Sequence, residues 1–544
     1  MVCYAARMEL TDPEMAASLE AFRKLVGPVE VDRAPESLAR WARSTAPGAA
    51  YPGAIVRPRT TEEVVLVVKA AREAGVSLYP VSRGKNWGYG DATPTRDGSV
   101  ILDLSGMDRV RALDARQGFA TVEPGVTQGQ LAERVAREAP GFWVDCTGAG
   151  PDASVLGNAL ERGFGHTPYG DHVRTLCGLE CVLADSSVLR TGMGHYDGAH
   201  AAPVYPYGVG PYLDGIFTQS NLAIVTGMTV WLCPRPESFR FFYLKVERDE
   251  ALPELIEALR PLRLQGILNS AVHIGNDLRV LSGQRRYPHE RAMGVRPLPH
   301  ALREALRREA RLGAWSVSGS LTGTAPQVKA ATARLRQATR GLGRLLVLSD
   351  AQLQWAGRMV RALQPLGMLG GLARLLDDLE PHVGLLQGRP TSLPLRGALW
   401  GLNRDTDDPA DPLDLGAGLI WMAPVLPIDG AHAQRLREVA EPIFATHGFD
   451  FMITFTLLNE RAMVAVMNVS FDRADASQGD RAKACYETVT KALLAAGYPP
   501  YRASLGGMPL LHRDGDTFWE TAARIKQALD PGGIIAPGRY IPEK

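Results

Sequence analysis

The chain has 544 residues, enough for about two to four domains with sizeable cores. Its 60 lysines and arginines offset 59 aspartates and glutamates, leaving a formal net charge of +1, with 45% of residues hydrophobic and 22% charged. Such proportions argue against a disordered chain, a collagen-like repeat and a generic nucleic-acid binder. No uncharged apolar run reaches the roughly 18 residues a bilayer span needs, and Met1 to Leu10 contains Arg7 and Glu9, so a cytoplasmic protein is expected.

In chain order, Ala54-Ile-Val reads as a strand. Thr60 to Ala74 follows as a helix, with Thr60 or Thr61 as N-cap, Glu62 and Glu63 in the first turn and Gly75 as the stop. Leu78-Tyr-Pro-Val-Ser is a second strand running into Arg83-Gly-Lys-Asn-Trp-Gly-Tyr-Gly90, and Val100-Ile-Leu-Asp-Leu and Phe119-Ala-Thr-Val-Glu read as further strands. A second glycine-dense block spans Asp145 to Gly170, and Leu179 to Leu183 and Ala223 to Leu232 are strand-like. Beyond Pro236 the texture changes. Helices over Ala251 to Pro261, Leu298 to Leu312 and Ala325 to Ala338 mix with strands over Trp315 to Leu321, Gly418 to Ala423, Phe451 to Thr456 and Ala462 to Val469, which predicts a separate α+β domain. The apolar stretch Leu353 to Leu386 carries Arg358, Arg361 and Arg374, but Pro365, Gly367, Gly370 and Gly371 interrupt its helical period. That favours packing or a subunit contact over a membrane-surface helix.

Several short motifs carry little. The six cysteines, Cys3, Cys146, Cys177, Cys181, Cys233 and Cys485, include no Cys-x-x-Cys pair, so buried thiols are expected rather than a disulfide scaffold or zinc ribbon. His195 and His200 flank Asp197 without a third ligand at fixed spacing, and no metal is expected. Ser82-Arg-Gly-Lys85 fits Ser-x-x-Lys but lacks the partner motifs of penicillin-recognising enzymes. Gly148-Ala-Gly-Pro-Asp-Ala153 fits Gly-x-Gly-x-x-Ala, yet Pro151 and the missing amphipathic helix behind it argue against a dinucleotide fingerprint. Gly84, Gly88 and Gly90 with Arg83 and Lys85 form a loop whose amides can approach a phosphate, a weak signal by itself.

Context strengthens that signal. Pro80-Val-Ser-Arg-Gly-Lys-Asn-Trp-Gly-Tyr-Gly90 is followed by Asp103-Leu-Ser-Gly-Met-Asp108 and Val122-Glu-Pro-Gly-Val126. Further on stand Ser154-Val-Leu-Gly-Asn-Ala-Leu-Glu-Arg-Gly163, Thr167-Pro-Tyr-Gly-Asp-His172, Leu189-Arg-Thr-Gly-Met-Gly194, Gln219-Ser-Asn-Leu-Ala-Ile-Val-Thr226 and Asp530-Pro-Gly-Gly-Ile-Ile-Ala-Pro-Gly538. In this order the blocks resemble the vanillyl-alcohol oxidase and p-cresol methylhydroxylase (4-cresol dehydrogenase) flavoprotein family. The resemblance implies an α+β, two-domain fold: a p-cresol-methylhydroxylase-type FAD-binding domain from residues 1–235, completed by the tail 498–544, and an α+β substrate cap on an antiparallel sheet over 236–497. It further implies FAD contacts from Ser82, Arg83, Gly84, Lys85, Asn86, Gly88, Pro151, Ser154, Gly157, Asn158, Gly165, Glu180, Ile224, Val225 and Arg539, and a homodimer.

The family's phenol oxidisers hold the substrate hydroxyl with two tyrosines and an arginine, and Tyr89, Tyr501 and Arg502 match those positions. A phenolate para to a benzylic carbon eases hydride departure, and a permanent cation beside it lowers the phenol pKa. Three departures stand out. The stretch that carries an FAD-linking histidine in many members is Gly416-Ala-Gly-Leu-Ile-Trp-Met-Ala-Pro424 here, so FAD is expected to be non-covalent. The family's acid near the flavin aligns with Thr147 or Gly148, leaving Asp152 as a substitute. His166 replaces a common tyrosine and is either a base or a structural histidine. Trp421 and Phe455 are candidates for an aromatic wall, though core packing explains them equally. The resemblance thus implies an FAD-dependent oxidase or dehydrogenase acting on a para-substituted phenol, with oxygen or an electron-carrier protein as acceptor. Oxidation of another alcohol or aromatic natural product, and flavin binding without turnover, stay open as alternatives.

Overall fold

Thr60 starts the helix Thr61–Ala74 (α1) by accepting a hydrogen bond from the Glu63 amide, and Gly75 ends it in the left-handed region at φ 67°. The inward face of α1, Val64, Val67, Val68 and Ala71, shares a core with a four-stranded sheet. That sheet consists of Val31–Asp32 (β1), Ala54–Val56 (β2), Leu78–Val81 (β3) and Val100–Asp103 (β4) in the order β1-β2-β4-β3. The inner strands run parallel, and β2 and β4 are buried at every residue, as strands covered on both faces are. The C-terminal tail returns to this sheet: the Leu78 amide donates to the Ile534 carbonyl and the Ala536 amide to the Leu78 carbonyl, both at 2.7 Å. The computed structural model describes residues 13–353, 355, 358, 380, 382–402 and 411–543. Most of Leu353 to Leu386, Met1 to Leu10 and Cys3 lie outside the described residues.

A second, antiparallel sheet contains Val110–Asp114 (β5), Phe119–Val122 (β6), Leu176–Val182 (β7), Val188–Arg190 (β8) and Ile224–Trp231 (β9) in the order β5-β6-β9-β7-β8. Between β6 and β7 the chain makes the short helix Val155–Leu160 (α2), capped by Ser154, whose hydroxyl accepts from the Gly157 amide at 2.9 Å. A helix therefore does follow the Gly148–Ala153 turn, though a short one of 6 residues.

The third sheet is built from Ser238–Val246 (β10), Val272–Asn276 (β11), Trp315–Gly323 (β12), Arg344–Ser349 (β13), Ala417–Met422 (β14), Val425–Pro427 (β15), Ile453–Leu457 (β16) and Ala462–Asp472 (β17). Its order is β13-β10-β12-β11-β16-β17-β14, with β15 also on β17, and every pairing is antiparallel. Side chains alternate across a strand, so the register sorts this sheet into two faces. Ile420, Met422, Met467, Val469, Ile453, Phe455, Ile274 and Val317 face one core shared with the helices Leu252–Leu264, Gly430–Thr446 and Ala476–Ala495. The opposite face carries Trp421, Asn468, Thr454, Thr456, His273 and Ser318. One face is thus a hydrophobic floor, while the other mixes these polar groups with Leu419, Val464, Val466 and Phe241.

Phe455 sits on the helix-covered face, fully buried with its ring 6.2 Å from Trp315. It is a core residue and not part of an aromatic wall. Among the described residues no helix is long and apolar enough to cross a membrane.

Candidate active site

The loop after β3 takes its shape from glycines in the left-handed region, Gly84 at φ 65° and Gly88 at φ 75°. The Gly88 amide donates to Thr45 Oγ1 at 2.8 Å, and Thr45 is held in turn by the buried carboxylate of Asp91. Burial pushes that carboxyl up to about 6 against the opposing bonds from Thr45 and Ser44. The Asn86 carbonyl accepts the amides of Tyr89 and Asp91, both at 3.0 Å, and this tight turn leaves the Tyr89 side chain buried.

Tyr89 lies beneath the guanidinium of Arg502, 4.2 Å from the ring centre. Arg502 donates from Nε to Glu161 Oε2 at 3.1 Å and from Nη2 to Asn86 Oδ1. Glu161 also receives Arg539 Nη2 on its other oxygen and the Tyr540 hydroxyl at 2.6 Å, while Arg539 Nη1 donates to the Tyr79 hydroxyl at 2.6 Å. Burial alone would raise the Glu161 carboxyl, but Arg539, Arg502 and the Tyr540 hydrogen bond outweigh it and hold it at about 2. Burial would likewise lower Arg502, and Glu161 overrides it, so the guanidinium stays charged. Tyr501 completes the group: its amide donates to the Ala423 carbonyl at 3.1 Å, its carbonyl accepts Gln219 Nε2 at 2.8 Å, and its hydroxyl shares a hydrogen bond with Tyr89. Burial raises both tyrosines, so each is a neutral hydroxyl at working pH.

Three residues expected from sequence, Tyr89, Tyr501 and Arg502, therefore converge, and Asn86 and Arg539 join them. Glu161, Tyr540 and Gln219 were not singled out. Glu161 follows α2 in a turn closed by Arg162 in the left-handed region at φ 52°, and a carboxylate in so glycine-rich and apolar a block was the available signal.

The loops around this cluster leave room only for small residues. A Cβ on Gly157 would strike Ser82 Oγ, one on Gly163 would strike Asn158, and one on Gly165 would strike the Asp145 carboxylate. Two backbone segments, 82–90 and 154–165, thus approach each other closely, with the amides of the capped α2 N-terminus at the junction. This cradle, with Arg83 half-buried beside it, has the close backbone approach that the phosphates of FAD require. Pro151 packs on Gly129, and Ile224 and Val225 are buried in β9 against Val182 and Cys181.

Other expected residues are engaged elsewhere. Lys85 pairs with Asp411 at 2.7 Å. Glu180 binds Arg111 at 2.8 Å and Thr61 at 2.9 Å, with Arg190 on its second oxygen, so its carboxylate is committed to an ion-pair cluster at the start of α1. Asp152 is exposed in the turn before α2 and forms no bond to the Tyr89 cluster. A solvated carboxylate there is poorly placed to exchange protons in a buried site. His166 is half-buried instead: its Nδ1 lies 2.9 Å from His273 Nε2, and His273 Nδ1 lies 3.0 Å from Thr456 Oγ1. Burial, then His273, depresses His166 well below its usual range, and burial lowers His273 to about 4, so both imidazoles are neutral near pH 7. Trp421 comes from the mixed face of the third sheet, its amide donating to the Gly88 carbonyl at 3.2 Å.

The comparisons agree with this architecture. Residues 52–192 match the family model of an FAD binding domain. The chain is 35% identical over 532 residues, 96% of each chain, to 1'-carboxy-chondrochloren decarboxylase of Chondromyces crocatus. It is 29% identical to the 4-cresol dehydrogenase [hydroxylating] flavoprotein subunit of Pseudomonas putida, over 97% of this chain and 96% of that one. A crystal structure of p-cresol methylhydroxylase with substrate bound superposes with a TM-score of 0.86 at 28% identity, covering 98% of both chains. The fold and cradle are those of an FAD-dependent oxidoreductase. The chain belongs to the vanillyl-alcohol oxidase and p-cresol methylhydroxylase flavoprotein family.

Proposed function

We propose that the protein oxidises a para-substituted phenol at its benzylic carbon, with residues 1–235 and 498–544 holding FAD and 236–497 covering the substrate. The observation that carries this reading is the convergence of Tyr89, Tyr501 and Arg502 in one buried cluster. Bound FAD supplies a two-electron acceptor for hydride. Tyr89 and Tyr501 donate hydrogen bonds to the substrate oxygen, and the Arg502 charge stabilises it as phenolate. Glu161 locks Arg502 in place, and its own charge is shared with Arg539 so that it does not repel the phenolate. Loss of hydride from the benzylic carbon leaves a p-quinone methide. His166, neutral and hydrogen-bonded to His273, takes the proton from a water that adds to that carbon. The acceptor for the electrons is oxygen or an electron-carrier protein, and we infer a cytoplasmic homodimer from the family resemblance and the composition.

A second outcome is favoured by one observation, the 35% identity to a protein named as a decarboxylase. If the carbon next to the benzylic position bears a carboxylate, the quinone methide loses CO2. The electrons of the broken C–C bond form the side-chain double bond and restore the phenolate, giving a vinylphenol. The experiment that tests the common first step is anaerobic mixing of the yellow protein with a phenol panel, including 4-ethylphenol and 4-hydroxybenzyl alcohol. Bleaching with phenols but not with their O-methyl ethers supports the proposal. Bleaching with neither, or with both alike, counts against it.

A further inference from the structure

On the mixed face of the third sheet lies a partly buried arginine that none of the described carboxylates opposes. Arg279, from the helix Asp277–Gln284, donates from Nη2 to Asn468 Oδ1 at 2.7 Å and makes longer contacts of 3.4 Å with the Met452 and Val466 carbonyls. Among the described residues its Nε is buried without a hydrogen-bond partner, and so is Nδ2 of the fully buried Asn468. Arg303 is matched by Asp277, and Arg502 and Arg539 by Glu161, while the buried Arg263, which has no ion pair either, donates from all three nitrogens to the carbonyls of Asn459, Leu268, Ser270 and Leu458. For Arg279 burial acts alone, lowering its pKa to about 10. A buried guanidinium without an anion is costly, and buried donors seldom stay unpaired. Neighbouring guanidinium and amide N–H groups present the complement of a carboxylate, which accepts a planar fork of hydrogen bonds.

The position connects this group to the phenol cluster. The Arg279 guanidinium stands 5.5 Å from the centre of the Trp421 ring, and Trp421 is the register partner of Asn468. On its other side Trp421 lies against Gly88, where an added Cβ would strike its Cδ1, next in the chain to Tyr89. Trp421 thus touches both the phenol-binding loop and the arginine.

We propose that Arg279 and Asn468 bind the side-chain carboxylate of the substrate, so that the substrate class is a 4-hydroxyphenyl carboxylic acid. This rests on the phenol reading above. The test uses the FAD-loaded protein, kept anaerobic, and reads ligand binding as a perturbation of the flavin spectrum by 4-hydroxyphenyl acids of two chain lengths, 3-(4-hydroxyphenyl)propanoate and 4-(4-hydroxyphenyl)butanoate, each beside its uncharged primary amide. At least one acid should bind 30-fold or more tighter than its amide, and Arg279→Gln should reduce that ratio below about 3 while retaining FAD. Arg279→Lys, which keeps the charge but loses the fork, should leave an intermediate ratio and guards against a misfolded glutamine variant. Acids and amides binding equally to the unaltered protein would overturn the carboxylate site while leaving the phenol reading intact. Loss of FAD from a folded Arg279→Gln would overturn it as well, by assigning the arginine to the cofactor. No perturbation by any of these phenols, with no bleaching by the wider panel, would defeat the phenol reading itself and this inference with it.

Discussion

Glu161 Oε2 accepts the Nε proton of Arg502 at 3.1 Å, and the same carboxylate holds Arg539 on its other oxygen. One negative charge thereby fixes two arginines, one of them stacked on Tyr89. Removing the middle member leaves two buried cations facing each other. Glu161→Gln is therefore expected to lower the unfolding free energy by about 3–5 kcal/mol. Urea denaturation at neutral pH measures this, and a change below about 1 kcal/mol would mean that the cluster is solvated rather than enclosed.

The imidazole pair makes stability depend on pH. His273 titrates at about 4 in the folded chain, against the ordinary 6.5 when unfolded. Between these values the unfolded chain binds the additional proton, so stability falls as pH drops from 6.5 towards 4. From pH 7 to pH 5 the loss due to His273 alone is about 2 kcal/mol, and His166, displaced in the same direction, adds to it. Denaturation curves at both pH values should show the fall, and His273→Asn should lessen it, leaving the part due to His166.

Gly88 has φ 75° with the Trp421 ring where a Cβ would lie. Gly88→Ala must strain the backbone and displace the indole, at a cost of about 1–3 kcal/mol. Because this loop belongs to the cradle, the expected readout is FAD affinity reduced by about tenfold or more, measured by titrating apoprotein with FAD. Unchanged affinity would separate the loop from the cofactor.

FAD should leave the protein on denaturation. β14 presents Gly418, Leu419 and Ile420, none of which has a nucleophile for the flavin methyl group. Acid precipitation should leave yellow supernatant and a colourless pellet, and intact-mass measurement should show no FAD adduct.

The sequence was most informative where geometry is local. The cap at Thr60, the stop at Gly75 and the helix Ala325–Ala338 depend on neighbouring residues alone. Ser238–Val246 was not recognised although it lies within the third sheet, between β12 and β13, because Phe241 and Phe242 are both buried and break strict alternation. The helix Gly430–Thr446 was missed because Pro442 lies within it, and Leu252–Leu264 likewise continues past Pro261. Tertiary packing overrides the local signal there. At the site, Tyr89, Tyr501 and Arg502 were legible from the family pattern. Glu161, His273 and Arg279 were not, because their meaning arises from partners between 107 and 341 positions away, His166 for His273 and Arg502 for Glu161.

The central claim is tested most directly by stopped-flow reduction of the bound FAD by 4-ethylphenol without oxygen, in the unaltered protein and in Arg502→Ala. Charge-assisted hydrogen bonds to a phenolate contribute about 2–4 kcal/mol, so the second-order rate of flavin bleaching should fall by about 30- to 1000-fold in the variant. Equal rates in the two proteins, with FAD retained in both, would contradict activation of a phenol by Arg502.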